Sequence, residues 1–173
     1  MNHGLKALLK DSTFTITALL DKPEKKFYLH GEDLKKQESE DDFSFNILVV
    51  EDNKTNQLTM CKSLQKLGCS IHSSFNGVEA VEAVKDNKFD LILMDLEMPV
   101  MDGLTATKKI RSVDSFNIDT AIVALMVNRD PKIRIQCLEE GMNGFLTKPV
   151  SHKALLKVLR LLQEEKLVWK QSD

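Results

Sequence analysis

Three carboxylates and one lysine stand where apolar runs end. Asp95 closes Leu91-Ile92-Leu93-Met94, the pair Glu51-Asp52 closes Asn46-Ile47-Leu48-Val49-Val50, and Lys148-Pro149 closes Gly144-Phe145-Leu146-Thr147. Short continuous apolar runs bounded by turn residues suit strands buried on both faces of a parallel sheet. In open α/β sheets, ligands gather at the carboxyl ends of such strands. Converging carboxylates repel one another, and a divalent cation and an ammonium group would relieve that repulsion. Oxygen ligands beside a lysine therefore point to a Mg²⁺ ion and a transferred phosphoryl group.

The elements that must position these residues follow from the spacing. From Asn46 onward the chain alternates apolar runs with amphipathic stretches, which predicts a parallel sheet covered on both faces. Met60, Leu64 and Leu67 mark the inner stripe of a first helix, which Gly68 ends. Residues 69–75 read as a shorter strand, and Asn76-Gly77 turns into a helix carrying Val78, Val81 and Val84. Beyond Asp95, Pro99 and Gly103 punctuate a loop, and Gly103 opens a helix with Leu104, Thr107 and Ile110. Ala121-Ile122-Val123-Ala124-Leu125 is the fourth buried strand, and Pro131 opens the next helix. Gly144 to Thr147 is the fifth strand, and Ser151 caps a last helix running to about Glu165. The expected fold is a flavodoxin-like (βα)5 doubly wound parallel sheet of order 2-1-3-4-5, with an N-terminal extension.

Composition narrows the function classes. The 173 residues carry 24 Lys+Arg against 26 Asp+Glu, a net charge of −2, with no basic excess to suggest nucleic acid. Cys61, Cys69 and Cys137 are odd in number and lack paired metal-ligand spacing, so they read as reduced core thiols of a cytoplasmic protein. No apolar stretch approaches the ~20 residues of a membrane span, so no membrane contact is expected.

Residues 1–31 form the extension. Thr13 to Leu20 alternates like a strand, with residues 27–29 as its expected hairpin partner. Two strands cannot bury such a face alone. They must pack on the main domain, on another chain, or on a preceding domain. Residues 32–45 are mostly charged and read as an acidic linker, 46–166 as the main domain, and 167–173 as a C-terminal tail.

Three ordered blocks resemble the signature of response-regulator receiver domains, most like the C-terminal receivers of hybrid sensor histidine kinases. They are Ile47-Leu-Val-Val-Glu-Asp-Asn53, Leu93-Met-Asp-Leu-Glu-Met-Pro-Val-Met-Asp-Gly103 and Phe145-Leu-Thr-Lys-Pro149. The resemblance covers about residues 46 to 166. It implies that Asp95 is the phosphoacceptor, that Asp52 holds Mg²⁺ directly, and that Glu51 does so through water. Glu97 would lend its backbone carbonyl to the metal, Lys148 would contact the phosphoryl oxygens, and the Lys148-Pro149 bond would be cis. Residues 12–16 weakly resemble the last strand of a histidine-kinase ATP-binding domain, which suggests that the extension is a remnant of one.

One position departs from the family pattern. Receivers carry Thr or Ser at the end of the fourth strand, where a hydroxyl bonds the phosphoryl oxygen; here Met126 stands there, with Val127 beside it. Phe145 matches the aromatic that moves into the vacated space. Methionine offers no donor and occupies volume, so phosphoryl chemistry would survive while its coupling to conformation weakens.

The expected function is a phosphorelay receiver. It takes a phosphoryl group from phosphohistidine on a histidine kinase or histidine phosphotransfer domain, and signals through protein contacts or onward phosphotransfer. Its only catalysis would be its own phosphorylation and dephosphorylation, within a hybrid kinase whose catalytic region lies outside this chain. A homodimer through the face of the fourth helix, fifth strand and fifth helix is a further expected contact. Two readings compete: a degenerate receiver that docks partners irrespective of phosphate, which Met126 favours, and an aspartate-nucleophile phosphatase. The latter needs a second aspartate two residues after the nucleophile, where Glu97 stands.

Overall fold

In the computed structural model, the described residues are 14–16, 43–112, 116–127, 130–165 and 167. The elements run β1 (Phe14–Ile16), β2 (Asn46–Val50), α1 (Lys54–Gln65), β3 (Ser70–Ser74), α2 (Gly77–Asp86), β4 (Leu91–Asp95), α3 (Gly103–Ser112), β5 (Ala121–Met126), α4 (Pro131–Glu139), β6 (Gly144–Thr147) and α5 (His152–Gln163). Strands β2 to β6 pair in parallel in the order β3-β2-β4-β5-β6, the expected flavodoxin-like arrangement. The strand expected near residue 14 lies antiparallel along the outer edge of β6. The proposed hairpin partner at 27–29 lies outside the described residues.

Period-two alternation divides the core into two clusters. Ile47, Val49, Leu91 and Leu93 face one side with Met60 and Leu64 of α1 and Leu155, Val158 and Leu159 of α5. Leu48, Val50, Ile92 and Met94 face the other, against Ala80 and Val84 of α2, Ala106 and Ile110 of α3, and Cys137 of α4. Every residue of β4 is buried, as a strand covered on both faces requires. Each fully buried aliphatic side chain is worth roughly 1.5–3 kcal/mol, so this sandwich supplies most of the driving force.

The helices begin where local chemistry dictates. Asn53 caps α1, its Oδ1 accepting from the Thr55 and Asn56 amides at 3.0 and 3.1 Å. Asn76 caps α2, Asp130 caps α4 ahead of Pro131, and Ser151 caps α5.

Some details depart from the sequence pattern. Val78 faces solvent while Gly77, Ala80, Val81 and Val84 bury, because α2 turns its glycine toward α3. Cys69 and Cys137 are buried cysteines, whereas Cys61 is only half-buried. Burial pushes the Cys137 thiol up to about 11, which keeps it unreactive. The core also reaches past the apolar periodicity: Phe43 stacks on Phe45 at 5.9 Å, and both Phe43 and Leu167 bury in the α1/α5 cluster. Among the described residues, no helix is long and apolar enough to cross a membrane.

Candidate functional site

The parallel register sets the site. Val50 stands opposite Met94, and Asp95 opposite Leu125, so β2, β4 and β5 end at one level. Met126 stands opposite Thr147, and the Lys148 amide donates to the Met126 carbonyl at 2.8 Å. Glu51-Asp52, Asp95 and Lys148 therefore meet at the carboxyl edge of the sheet.

One carboxylate oxygen from each of Glu51, Asp52 and Asp95 lies within 4.8 Å of the others. The Lys148 ammonium bridges two of them, 2.5 Å from Asp95 Oδ2 and 2.8 Å from Glu51 Oε2. Asp95 Oδ1 accepts from the Glu97 amide at 3.2 Å, and Glu51 Oε1 accepts from Asn56 Nδ2 at 3.0 Å. Both oxygens of Glu51 and of Asp95 are thus engaged. Asp52 is exposed, and so is the Glu97 side chain at the mouth. The Lys148-Pro149 bond is cis.

Burial pushes the Asp95 carboxyl above its ordinary range, and the Glu51 charge adds to that; Lys148 and the Glu97 amide offset only part of it. Burial alone would lower Lys148, but its hydrogen bonds and charge attraction to Asp95 and Glu51 outweigh this and hold the ammonium above its ordinary value. The donor set is all oxygen, closely spaced, and carries more negative charge than one lysine balances. That fits a hard divalent cation of the Mg²⁺ kind, with Asp52 the carboxylate most open to it.

Two contributors escaped the sequence reading. Besides the Asn56 contact, buried Gln57 donates from Nε2 to the Glu51 carbonyl at 3.1 Å and the Ser74 carbonyl at 2.9 Å, tying α1 to the ends of β2 and β3. The available signal was the Asn56-Gln57 pair in the first turn of α1, a short distance after the acidic pair.

The loop from Leu96 to Asp102 is held at both ends. The Leu96 amide donates to the Leu125 carbonyl at 3.2 Å, and the Gly103 amide to the Leu96 carbonyl at 3.1 Å. Asp102 caps α3 by accepting from the Thr105 amide and hydroxyl, each at 2.8 Å. Between these anchors, the Met101 amide donates to the Pro99 carbonyl at 2.8 Å across Val100, whose φ is 69°. This is a γ-turn centred on a β-branched residue, a strained conformation. Val100 is 84% exposed, so no packing repays it. Replacing Val100 with glycine should stabilise the fold by about 1 kcal/mol, after the unfolded-state entropy that glycine adds. A higher urea midpoint at unchanged slope is the expected reading; a lower midpoint would show that the turn is relaxed.

The two residues expected to form a switch lie at the end of β5 and within β6. Met126 is buried at 3%, and Phe145 at 2% packs in the same cluster, with the Arg134 guanidinium 4.4 Å above its ring. Val127 is exposed.

Comparison with known proteins agrees with this geometry. The sequence model of the response regulator receiver domain matches residues 47–160. Hybrid signal transduction histidine kinase B of Dictyostelium discoideum is 42% identical over 120 residues, which cover 64% of this chain and 6% of that kinase. Osmosensing histidine protein kinase SLN1 of Saccharomyces cerevisiae is 38% identical over 130 residues, covering 72% of this chain and 10% of that protein. The chain thus spans a small part of the curated kinases it matches. The receiver domain of sensor histidine kinase PA1611 from Pseudomonas aeruginosa, crystallised with a magnesium ion in its active site cleft, is 35% identical with a TM-score of 0.64, over 70% of this chain and 99% of that one. The Saccharomyces cerevisiae co-crystal of the histidine phosphotransfer protein Ypd1 with the receiver of Ssk1 gives 33% identity and a TM-score of 0.66, over 72% of this chain and 92% of that chain. Fold, strand-end acidic cluster and family match lead to one conclusion: the chain belongs to the response regulator receiver domain family.

Proposed function

We propose that this receiver accepts a phosphoryl group from phosphohistidine onto Asp95. The observation that carries the reading is the Lys148 ammonium bridging Asp95 and Glu51 at the strand ends, with Asp52 open beside them. An Asp95 oxygen attacks phosphorus in line; the O–P bond forms, the P–N bond breaks, and the imidazole leaves. Lys148 turns from the carboxylates to the phosphoryl oxygens and offsets their charge, a role an ammonium point charge performs well. Asn56 and Gln57 keep Glu51 in place. Bound Mg²⁺, held by Asp52 and Asp95, by Glu51 through water and by the Glu97 carbonyl, would neutralise charge on the transferred group.

The donor is a histidine kinase or a histidine phosphotransfer protein, as in the yeast complex, and the chain is the receiver part of a cytoplasmic hybrid kinase relay. Labelled phosphohistidine on a phosphotransfer protein should pass its phosphoryl group to this chain within minutes when Mg²⁺ is present, and not after chelation. Absence of transfer under both conditions would remove the reading.

Metal binding should precede the donor, because the clustered carboxylates attract a hard cation at rest. In a Mg²⁺ titration followed by NMR, the amides around Asp52 and Asp95 should shift first, and Asp52→Asn should weaken apparent affinity about tenfold or more. An unchanged titration would mean that Asp52 is not a ligand.

A second reading, a docking module little affected by phosphate, is favoured by one observation. Phe145 is already buried beside Met126 with Arg134 over its ring, which leaves it little distance to move. A missing hydrogen bond to a charged group is worth ~1.5–3 kcal/mol. Met126→Thr should therefore enlarge the shift change at Phe145 caused by beryllofluoride, a phosphoryl mimic, with some packing loss at the vacated space. Equal, large changes in both proteins would show that the methionine does not weaken the switch.

A further inference from the structure

The five parallel strands leave two edges, β3 and β6, and the chain treats them differently. β3 is mostly exposed along its length. β6 carries the buried residues Gly144, Phe145 and Leu146, and its outer edge is not left open: Phe14–Ile16 pairs along it antiparallel, Phe14 opposite Leu146, Thr15 opposite Phe145 and Ile16 opposite Gly144. An open edge presents unpaired amides and carbonyls that any extended chain can join. The segment that joins it here, Phe14-Thr15-Ile16, consists of aromatic and β-branched residues, which strand propensity favours. It also meets the sheet at the residue that the family pattern marks as the conformational reporter.

We propose that the β6 edge is a strand-docking surface whose resident ligand is this chain's own Phe14–Ile16 segment. While seated, this strand closes the edge both to a second copy and to an extended strand of a partner protein. The docking is intramolecular, held at high effective concentration by the tether to Phe43. It does not depend on the phosphoryl chemistry at Asp95, because it uses the backbone of the edge strand.

Hydrogen exchange on the full chain tests this. Successive residues of a strand point their amides to opposite edges, so of Thr15→Pro and Ile16→Pro at least one removes a ladder donor. In the unmodified protein, the β6 amides directed away from β5 should exchange at least tenfold more slowly than in that variant, while the β4 amides stay equally protected in both. Adding a synthetic peptide of residues 12–18 to the variant should restore protection in a dose-dependent way. Should the β4 amides also lose protection, the same comparison is made by lengthening the tether after residue 31 with Gly/Ser residues; a graded loss of β6 protection is then expected. Equal exchange of β6 in all forms overturns the proposal. Protection that grows with protein concentration, together with a dimer in sedimentation, overturns it too, since the strand would then come from a second copy.

Discussion

Asp95→Asn should gain no phosphoryl mass when treated with acetyl phosphate and Mg²⁺, whereas the unmodified chain should gain one group. The amide keeps the shape and can still accept a hydrogen bond from Lys148, but it is not a nucleophile, so the expected loss is complete. The same substitution should raise stability. Glu51 and Asp95 are both buried at 2% or less and share a single ammonium, so the resting fold holds an uncompensated negative charge. Removing it should add about 1–2 kcal/mol in urea unfolding without Mg²⁺. That gain should shrink as Mg²⁺ is added, because bound cation stabilises the unmodified chain by mass action. A phosphoryl label that persists in Asp95→Asn would move the acceptor elsewhere.

Gly103→Ala should be the most damaging single methyl group in the loop. A Cβ at Gly103 would lie 2.1 Å from the Asp95 carbonyl oxygen and 3.0 Å from its carbonyl carbon. Both are backbone atoms of the strand end, so no rotamer change relieves the clash. Either α3 retreats or the end of β4 shifts, and Asp95 moves with it. A cost of about 3–5 kcal/mol is expected in the urea midpoint, with phosphoryl incorporation falling in the molecules that remain folded. At Gly77, a Cβ would meet the Met101 carbonyl oxygen at 2.8 Å and Met101 Cγ and Ala106 Cβ at 2.9 Å each; no atom there comes as close as the Asp95 carbonyl does at Gly103, so Gly77→Ala should cost less. Equal costs at the two positions would show that the strand end yields as readily as the loop.

The middle of the sheet was legible because β2, β4 and β5 are largely continuous apolar runs, and the ends of β2, β4 and β6 located the acidic residues and Lys148 without any contact being known. The relations between distant polar groups were not legible. Arg111 in α3 looks like a surface arginine, yet its guanidinium donates to the carbonyls of Ile118 at 2.7 Å, Thr120 at 2.8 Å and Gly141 at 2.9 Å. Burial holds it down at about 10, against the pull of Asp119. Asn117 likewise looks like a turn residue, but its side chain accepts from the Phe89 amide at 2.8 Å and donates to the Val84 carbonyl at 2.8 Å. A polar side chain in sequence carries no sign of which carbonyls will surround it. Nor did alternation in the N-terminal segment say which edge it would choose. Edge choice depends on which strand the fold leaves unpaired, a property of the topology rather than of the segment.

Phe43 and Leu167 bury in the same hydrophobic cluster, so the two ends of the unit from β2 to α5 lie on one side of the sheet, where α1 and α5 pack, although Phe14–Ile16 pairs separately along the β6 edge. A unit whose ends share one anchorage can be spliced into a longer polypeptide without separating what lies before it from what lies after. It also tolerates rewiring. Joining the two ends by a short link and opening the chain at an exposed turn should give a circular permutant with the same sheet. In the language of assembly, this receiver is a cartridge: both ends of its five-stranded unit meet at one socket, while the acidic cluster sits at the carboxyl edge of the sheet.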